Sequence, residues 1–213
     1  MKNNAAAEKT GMIIIALVAW VGIILQFYLI LQTTVETGYS SVKLTINFFS
    51  YFTILSNLLI AVCLSAVLLS PRSRIGRFFS KIPVQSAIAV YIFIVGLVYN
   101  LVLRGIVILN GLNWIVDNIL HVLVPVLYVL YWFIFTPKKS LHWKNILPWL
   151  IFPGLYLVYS LIRGPLAHWY PYPFLNSEKL GLQKVIVNSC FVLTAFLVIS
   201  LLLIAYNRSA KRL

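Results

Sequence analysis

The chain has 213 residues, of which 62% are hydrophobic and only 10% are charged, and its formal net charge is +13. In a soluble domain about a quarter of the residues are charged, so this composition excludes a soluble domain. Most of the surface must therefore face lipid. The positive charges lie in short clusters between apolar stretches, as membrane topology signals do, and nucleic acid is therefore excluded as a partner.

Six apolar stretches are long enough, or nearly so, to cross a membrane as helices, because a crossing takes about 20 residues. They cover residues 12–32, 46–70, 84–108, 114–135, 146–162 and 185–206. The sequence therefore predicts an all-α, multi-pass membrane protein. It is predicted to consist of a single domain, residues 1–213, formed by a bundle of six transmembrane helices.

The positions of lysine and arginine predict the orientation, since cytoplasmic loops carry an excess of both. Twelve of the 17 lie on the side of the two termini: Lys2, Lys9, Arg72, Arg74, Arg77, Lys81, Lys138, Lys139, Lys144, Arg208, Lys211 and Arg212. Five lie on the other side: Lys43, Arg104, Arg163, Lys179 and Lys184. We therefore expect the N- and C-termini on the cytoplasmic face of the cell membrane.

Polar residues in the second span lie near its predicted outer end. Ser50, Thr53 and Asn57 recur at intervals of three and four residues, so a continuous helix would present them on one face. A membrane threonine commonly bonds to a carbonyl one turn earlier or packs against another helix. It acts as a nucleophile only when a base lies beside it.

The fourth span offers a candidate base, because Asp117 and His121 are four residues apart and share a helical face. The imidazole suits a general base that Asp117 orients, although a structural histidine and an aspartate paired with arginine explain the spacing equally. Pro125 has no N–H to bond the carbonyl of His121. Thr53 and His121 each lie about seven residues, roughly 10 Å, below the outer end of their spans, and they meet if these spans are neighbours.

Further polar residues in the outer half complete the candidate site. Arg104 and Arg163 are placed to pair with Asp117, whose carboxylate is costly to bury alone. The candidate substrate-binding or oxyanion residues, which the sequence does not rank, are Ser50, Asn57, Asn100, Arg104, Arg163 and Asn188. No metal or cofactor is expected, because the three histidines, His121, His142 and His168, fall at different depths and zinc needs at least three ligands.

Three runs resemble signatures of a prokaryotic family of membrane proteins labelled "predicted six-transmembrane". They are residues 49–57 (FSYFTILSN), residues 117–125 (DNILHVLVP) and residues 170–174 (YPYPF), and the last lies in an outer loop expected to form an ordered cap. The resemblance covers most of the chain by layout and these runs by motif.

That family is distantly similar to the androgen-induced and androgen-dependent membrane hydrolases of animals. Those enzymes cleave fatty acid esters of hydroxy fatty acids with a membrane-embedded threonine nucleophile and a histidine partner. The resemblance implies that Thr53 is the nucleophile and His121 its partner, with Ser50 and Ser56 as alternative hydroxyls.

The residues and the resemblance together predict a membrane-embedded, threonine-dependent hydrolase of lipid esters, with membrane lipids and a hydrophobic acyl ester as its partners. The alternative is a small transporter or a lipid- or anion-binding membrane protein with an outer pocket lined by Arg104 and Arg163. A third interpretation is a passive scaffold for other membrane proteins. No feature of the sequence predicts an oligomeric partner.

Overall fold

The computed structural model describes residues 2–38 and 40–210, except for the side chains of residues 2–4 and 34–37. Lys211, Arg212 and the side chain of Lys2 thus lie outside the described residues. Six helical stretches are long and apolar enough to cross a membrane: Ala5–Thr33, Phe52–Leu69, Ile82–Leu103, Gly111–Phe135, Trp143–Ala167 and Leu182–Ser209. The described residues contain no strand, and the all-α, multi-pass prediction is confirmed.

The chain divides into two compact units, Met1–Pro137 and Lys138–Leu213. The first unit contains the helices α1 (Lys2–Thr37), α2 (Ser41–Phe48), α3 (Phe52–Leu69), α4 (Arg74–Phe79), α5 (Ile82–Val98), α6 (Gly111–Asn118) and α7 (Val124–Phe135). Two π-helical turns extend these helices: Tyr99–Leu103 follows α5, and Ile119–Leu123 joins α6 to α7. The first unit thus holds four of the six spans, while the single domain stays a prediction.

The second span is shorter than expected, because the chain leaves the helix at residues 49–51. Ser50 lies in this interruption, and its hydroxyl donates to the carbonyl of Ile46 at 2.6 Å. The buried ring of Phe48 closes the end of α2, with its centroid 5.1 Å from that of Phe27 on α1. Aromatic packing against a neighbouring helix accompanies this interruption, in which no residue is Gly or Pro.

This interruption corrects two expectations about the second span. Ser50 does not share a helical face with Thr53 and Asn57, because it lies outside α3. Thr53 is the second residue of α3, so it does not lie seven residues inside its helix. Thr53 and Asn57 remain one turn apart on α3 and share a face as predicted.

Helix α1 packs along α3 and reaches the second π turn. The indole N–H of Trp20 donates to the hydroxyl of Ser65 on α3 at 3.1 Å. Gly22 faces Ile119 and Leu120, and a Cβ at this glycine would lie 2.8 and 2.9 Å from their side chains. A residue without a side chain therefore lets α1 approach the π turn of the fourth span.

The second unit contains α8 (Ile146–Ala167), α9 (Ser177–Leu180) and α10 (Leu182–Ser209), with 3-10 turns at Trp143–Asn145 and Pro173–Leu175. Helix α8 continues five residues beyond the predicted end of the fifth span, so Arg163 lies inside it. The side chain of Asn207 on α10 accepts hydrogen bonds from the backbone N–H groups of Ser140 and Leu141, each at 3.0 Å. This amide ties the loop before α8 to the end of α10.

Candidate functional site

The candidate site in the first unit is built on the two π-helical turns. Asn100 lies in the turn Tyr99–Leu103 and His121 in the turn Ile119–Leu123. Turns of this kind are rare and occur frequently at functional sites. Pro125 accounts for part of the second one, because proline cannot donate the hydrogen bond that a regular helix would return to His121.

Asn100 and Gly96 adapt α5 to this irregular segment. The side-chain amide of Asn100 donates to the carbonyl of Gly96 at 2.7 Å and to that of His121 at 3.4 Å. The carbonyl that Pro125 leaves without its usual partner is thus bonded from the neighbouring span. A Cβ at Gly96 would lie 3.2 Å from Cβ of Pro125 and 3.4 Å from the His121 oxygen, so the two spans touch backbone to backbone here.

The imidazole of His121 has a defined orientation. Its Nδ1 lies 3.0 Å from the backbone oxygen of Asp117 and 3.0 Å from carboxylate oxygen Oδ1 of the same residue. Both oxygens accept hydrogen bonds only, so Nδ1 must carry the proton. In the neutral ring the lone pair then resides on Nε2, which is the nitrogen able to act as a base.

Tyr99 is a member of this cluster that sequence reasoning missed. Its phenol donates to the carboxylate of Asp117, and its ring stacks on His121 with centroids 3.9 Å apart and planes at 16°. Asp117 is therefore bonded from both sides and His121 is clamped between carboxylate and phenol ring. The sequence feature that could have identified Tyr99 is its position next to Asn100, near the outer end of an apolar span.

Arg104 does not form the predicted ion pair with Asp117. Among the described residues its guanidinium donates instead to Oδ1 of Asn118 at 2.9 Å, and its Cζ lies 5.5 Å from the centroid of the Tyr99 ring. The arginine is exposed, at the C-terminal end of the first π turn. It supplies positive charge near the carboxylate through Asn118 and Tyr99 rather than by direct contact.

Asn57 connects the helix of Thr53 to the segment of His121. Its side-chain N–H groups donate to the carbonyl of Thr53 at 2.8 Å and to that of Leu120 at 3.1 Å. Spans two and four are therefore neighbours, which the sequence could not establish. Thr53 is buried and lies within one helical turn, about 6 Å of rise, of this bridge. It is not a hydrogen-bond partner of the His121 ring among the described residues.

Two buried acceptors near Thr53 have no hydrogen-bond partner within the described part of the chain. They are Oδ1 of Asn57 and the hydroxyl oxygen of Ser56, and both residues are fully buried. A buried polar group left unpaired costs about 1–3 kcal/mol. The amide of Asn57 is oriented by its two carbonyl acceptors, so its oxygen has a fixed direction and is suited to accept from a hydroxyl or a water.

The predicted oxyanion candidates differ in their free donors. The amide of Asn57 is engaged on two carbonyls, as is that of Asn100, so either would have to give up a bond to donate elsewhere. Arg104 has one hydrogen bond among the described residues and five guanidinium N–H groups, so it retains donors. Of the candidates in the first unit, Arg104 is thus the one best prepared to stabilise a negative charge.

The remaining two candidates belong to the second unit and contact its Pro- and aromatic-rich loop. The guanidinium carbon of Arg163 lies 4.8 Å from the centroid of the Trp169 ring, and the amide of Asn188 donates to the carbonyl of Phe174 at 3.0 Å. The phenol of Tyr170 bonds the hydroxyl of Ser177 at 2.8 Å. These contacts connect the Pro- and aromatic-rich loop to α8 and α10, and its role as an ordered cap stays a prediction.

Comparison with known proteins found no match to the chain or its structure. The chain matches no protein-family model, no curated protein and no solved structure. The resemblance to the six-span family therefore stays a prediction that rests on the three sequence runs.

Proposed function

We propose that the chain is a hydrolase of lipid esters embedded in the cell membrane, with Thr53 as nucleophile and His121 as base. The observation that supports this most strongly is the double contact of His121 Nδ1 with Asp117. It leaves the basic lone pair on Nε2, in a ring that Tyr99 holds in place. The same division of labour between an aspartate and a histidine activates hydroxyl nucleophiles in other hydrolases.

In the proposed reaction the Thr53 oxygen attacks the ester carbonyl carbon while His121 Nε2 takes the hydroxyl proton. The tetrahedral oxyanion is stabilised by Arg104, and the alcohol leaves with the proton from His121. Water then attacks the carbonyl carbon of the acyl-threonine, again with His121 as base. The bond from that carbon to the Thr53 oxygen breaks, the oxygen takes the proton back from His121, and a carboxylic acid is released. The free acceptor Oδ1 of Asn57, one turn from Thr53, is suited to hold that water.

The side-chain environment favours a hydrophobic substrate. The side chains of His121 and Asp117 are only 17% and 13% exposed, and both lie within a span that is apolar enough to cross a membrane. An acyl chain would enter from the lipid between helices. Thr53 and His121 are not bonded to each other, and catalytic hydrogen bonds often form fully only in the complex with substrate.

The anion-binding alternative has less support from the same contacts. Arg104 is held by Asn118 and by the ring of Tyr99, in a role that balances the charge of Asp117. Arg163 packs on Trp169 in the second unit. Both arginines have structural partners and Arg104 keeps further N–H donors, so the oriented Asp117–His121 pair, which anion binding does not require, is what favours the hydrolase.

The test is ester turnover by the full chain, reconstituted in lipid and supplied with a long-chain acyl ester. We expect Thr53→Ala and His121→Ala to lower kcat by about a hundredfold or more, because nucleophile and base each become unavailable. Thr53→Ser should retain measurable activity. The matched control is Thr194→Ala, which removes an exposed threonine of α10 and should leave turnover unchanged.

A reactive-hydroxyl probe distinguishes the candidates. Labelling of the wild type that Thr53→Ala abolishes supports the hydrolase. Labelling that persists in Thr53→Ala and disappears in Ser50→Ala or Ser56→Ala assigns the nucleophile to a neighbouring serine and contradicts the role of Thr53. The absence of both turnover and labelling in the wild type overturns the hydrolase and favours the anion-binding alternative.

A further inference from the structure

The short helix α4 and its flanking residues carry four cations that the proposed hydrolase does not use. They are Arg72, Arg74, Arg77 and Lys81. Two large apolar side chains lie among them and are exposed, Ile75 by 59% and Phe78 by 50%. On α4, Arg74 and Arg77 lie three residues apart, as do Ile75 and Phe78, so each pair shares a helical face, and Lys81 follows the helix. The segment, residues 72–81, therefore presents a basic stripe beside an apolar stripe, and we call it the basic platform.

The basic platform is held in one conformation by its own turn. Gly76 is buried against the end of α3, where a Cβ would lie 2.0 Å from the carbonyl oxygen of Ser70. The hydroxyl of Ser73 caps α4 by accepting from the N–H of Gly76 at 2.9 Å. A glycine that permits this approach and a capped first turn present the cations from a fixed backbone.

Side chains from two spans also bind the C-terminal end of α4. The carbonyl of Phe79 accepts from the side-chain amide of Gln85 at 3.0 Å and from the thiol of Cys63 at 3.8 Å. Cys63 belongs to α3 and Gln85 to α5. The basic platform is thus anchored to both helices that it connects, and its position relative to them is defined.

The charge of the basic platform is not neutralised by a carboxylate among the described residues. The sequence has four acidic residues, Glu8, Glu36, Asp117 and Glu178. Asp117 is engaged with Tyr99 and His121, Glu178 with His168, and Glu8 accepts from Tyr131. Among the described residues none of the four platform cations has a carboxylate partner, which makes an anion from another molecule a suitable counterion.

We propose that the basic platform is a binding site for the headgroups of anionic phospholipids in the adjacent leaflet. Phosphate oxygens pair with the arginine stripe, and Ile75 and Phe78 enter the acyl region beside it. The exposed apolar stripe favours a lipid over free phosphate as the ligand, because inorganic phosphate has no apolar group that could contact it. This inference is independent of the proposed function.

The experiment measures lipid retention by native mass spectrometry on the full chain in neutral detergent, with equimolar phosphatidylglycerol and phosphatidylcholine. We expect the wild type to retain phosphatidylglycerol preferentially. Arg74→Gln with Arg77→Gln should weaken that preference by about fivefold for each cation removed, the effect of one basic residue near an anionic surface. Arg74→Lys with Arg77→Lys keeps the charge and should keep the preference.

The control pair is Lys139→Gln with Lys144→Gln, two exposed cations of the second unit that remove the same charge. An equal loss of preference in this pair shows an effect of net charge alone and overturns the proposal. So does an unchanged preference in Arg74→Gln with Arg77→Gln. Displacement of the lipid by inorganic phosphate at equal concentration contradicts a lipid-specific site. The single variants Arg74→Gln and Arg77→Gln are measured in parallel, and each should show half of the effect on a logarithmic scale.

Discussion

Tyr99 gives the cluster its rigidity, because a single side chain contacts both members of the Asp117–His121 pair. The phenol holds one carboxylate oxygen while the imidazole N–H holds the other, so the carboxylate cannot rotate freely. The ring covers one face of the imidazole. A base positioned in this way loses little conformational freedom when it acts, which is the contribution that a supporting residue makes to catalysis.

Replacement of Tyr99 should therefore separate its two contributions. Tyr99→Phe removes the hydrogen bond to Asp117 and should lower the free energy of unfolding by roughly 1.5–3 kcal/mol, as expected for a bond to a charged group. Tyr99→Leu removes the stacked ring as well and should cost about 0.5–1.5 kcal/mol more. The measurement is unfolding by SDS titration in mixed micelles.

Tyr28→Phe is the control for this series. Tyr28 is exposed on α1, and among the described residues its phenol accepts from Gln32, one turn away. We expect a change within about 0.5 kcal/mol, as for most surface substitutions. Equal losses in Tyr99→Phe and Tyr28→Phe would show that the bond to Asp117 contributes no more than an exposed one.

At the scale of helices, the contact between α5 and the second π turn depends on Gly96. Gly96→Ala places a methyl group 3.2 Å from Pro125 and 3.4 Å from the carbonyl of His121, and neither backbone nor proline ring can move easily. We expect a loss of about 1–3 kcal/mol in the free energy of unfolding, the range for overpacking. The SDS titration described for Tyr99 measures it.

Gly154→Ala is the matched control, since Gly154 also lies inside a membrane-spanning helix, α8, and a Cβ there meets nothing within 4 Å. Alanine is the better helix former by about 0.5–1 kcal/mol, so this variant should be as stable as the wild type or more stable. A loss in Gly154→Ala equal to that in Gly96→Ala would contradict the close contact as the cause.

Prediction from sequence succeeded where a local rule applies. The spans follow from the number of apolar residues that a crossing needs, and the pairing of Asp117 with His121 follows from the rise of one helical turn. The interruption at residues 49–51 was missed, because it contains neither Gly nor Pro and depends on Phe48 packing against Phe27. Tyr99 was missed because its partners lie on another span, and only packing decides which spans meet.

For the whole molecule, the distribution of lysine and arginine predicts the topology. We expect a cysteine introduced at Lys179, exposed in the second unit, to react with a membrane-impermeant maleimide added to intact cells. A cysteine at Arg74 should react only after the cells are permeabilised. Both variants are made with Cys190→Ser, because the thiol of Cys190 is exposed, whereas that of Cys63 is buried. The opposite labelling pattern would reverse the orientation of the chain and place the candidate site on the cytoplasmic side.

The two π turns have a consequence for how this chain tolerates changes in length. A π turn accommodates one extra residue within a helix, and each residue rotates the chain by about 100°. Deleting one residue from 119–123 would restore a regular α-helix. It would also rotate the residues before the deletion around the axis of that helix, relative to the residues after it. Asp117 would then leave its place beside Tyr99 while the inner part of the fourth span kept its packing. A single-residue deletion should therefore abolish the polar cluster without unfolding the span, and related chains with a cluster of this kind should have the same spacing between aspartate, histidine and proline.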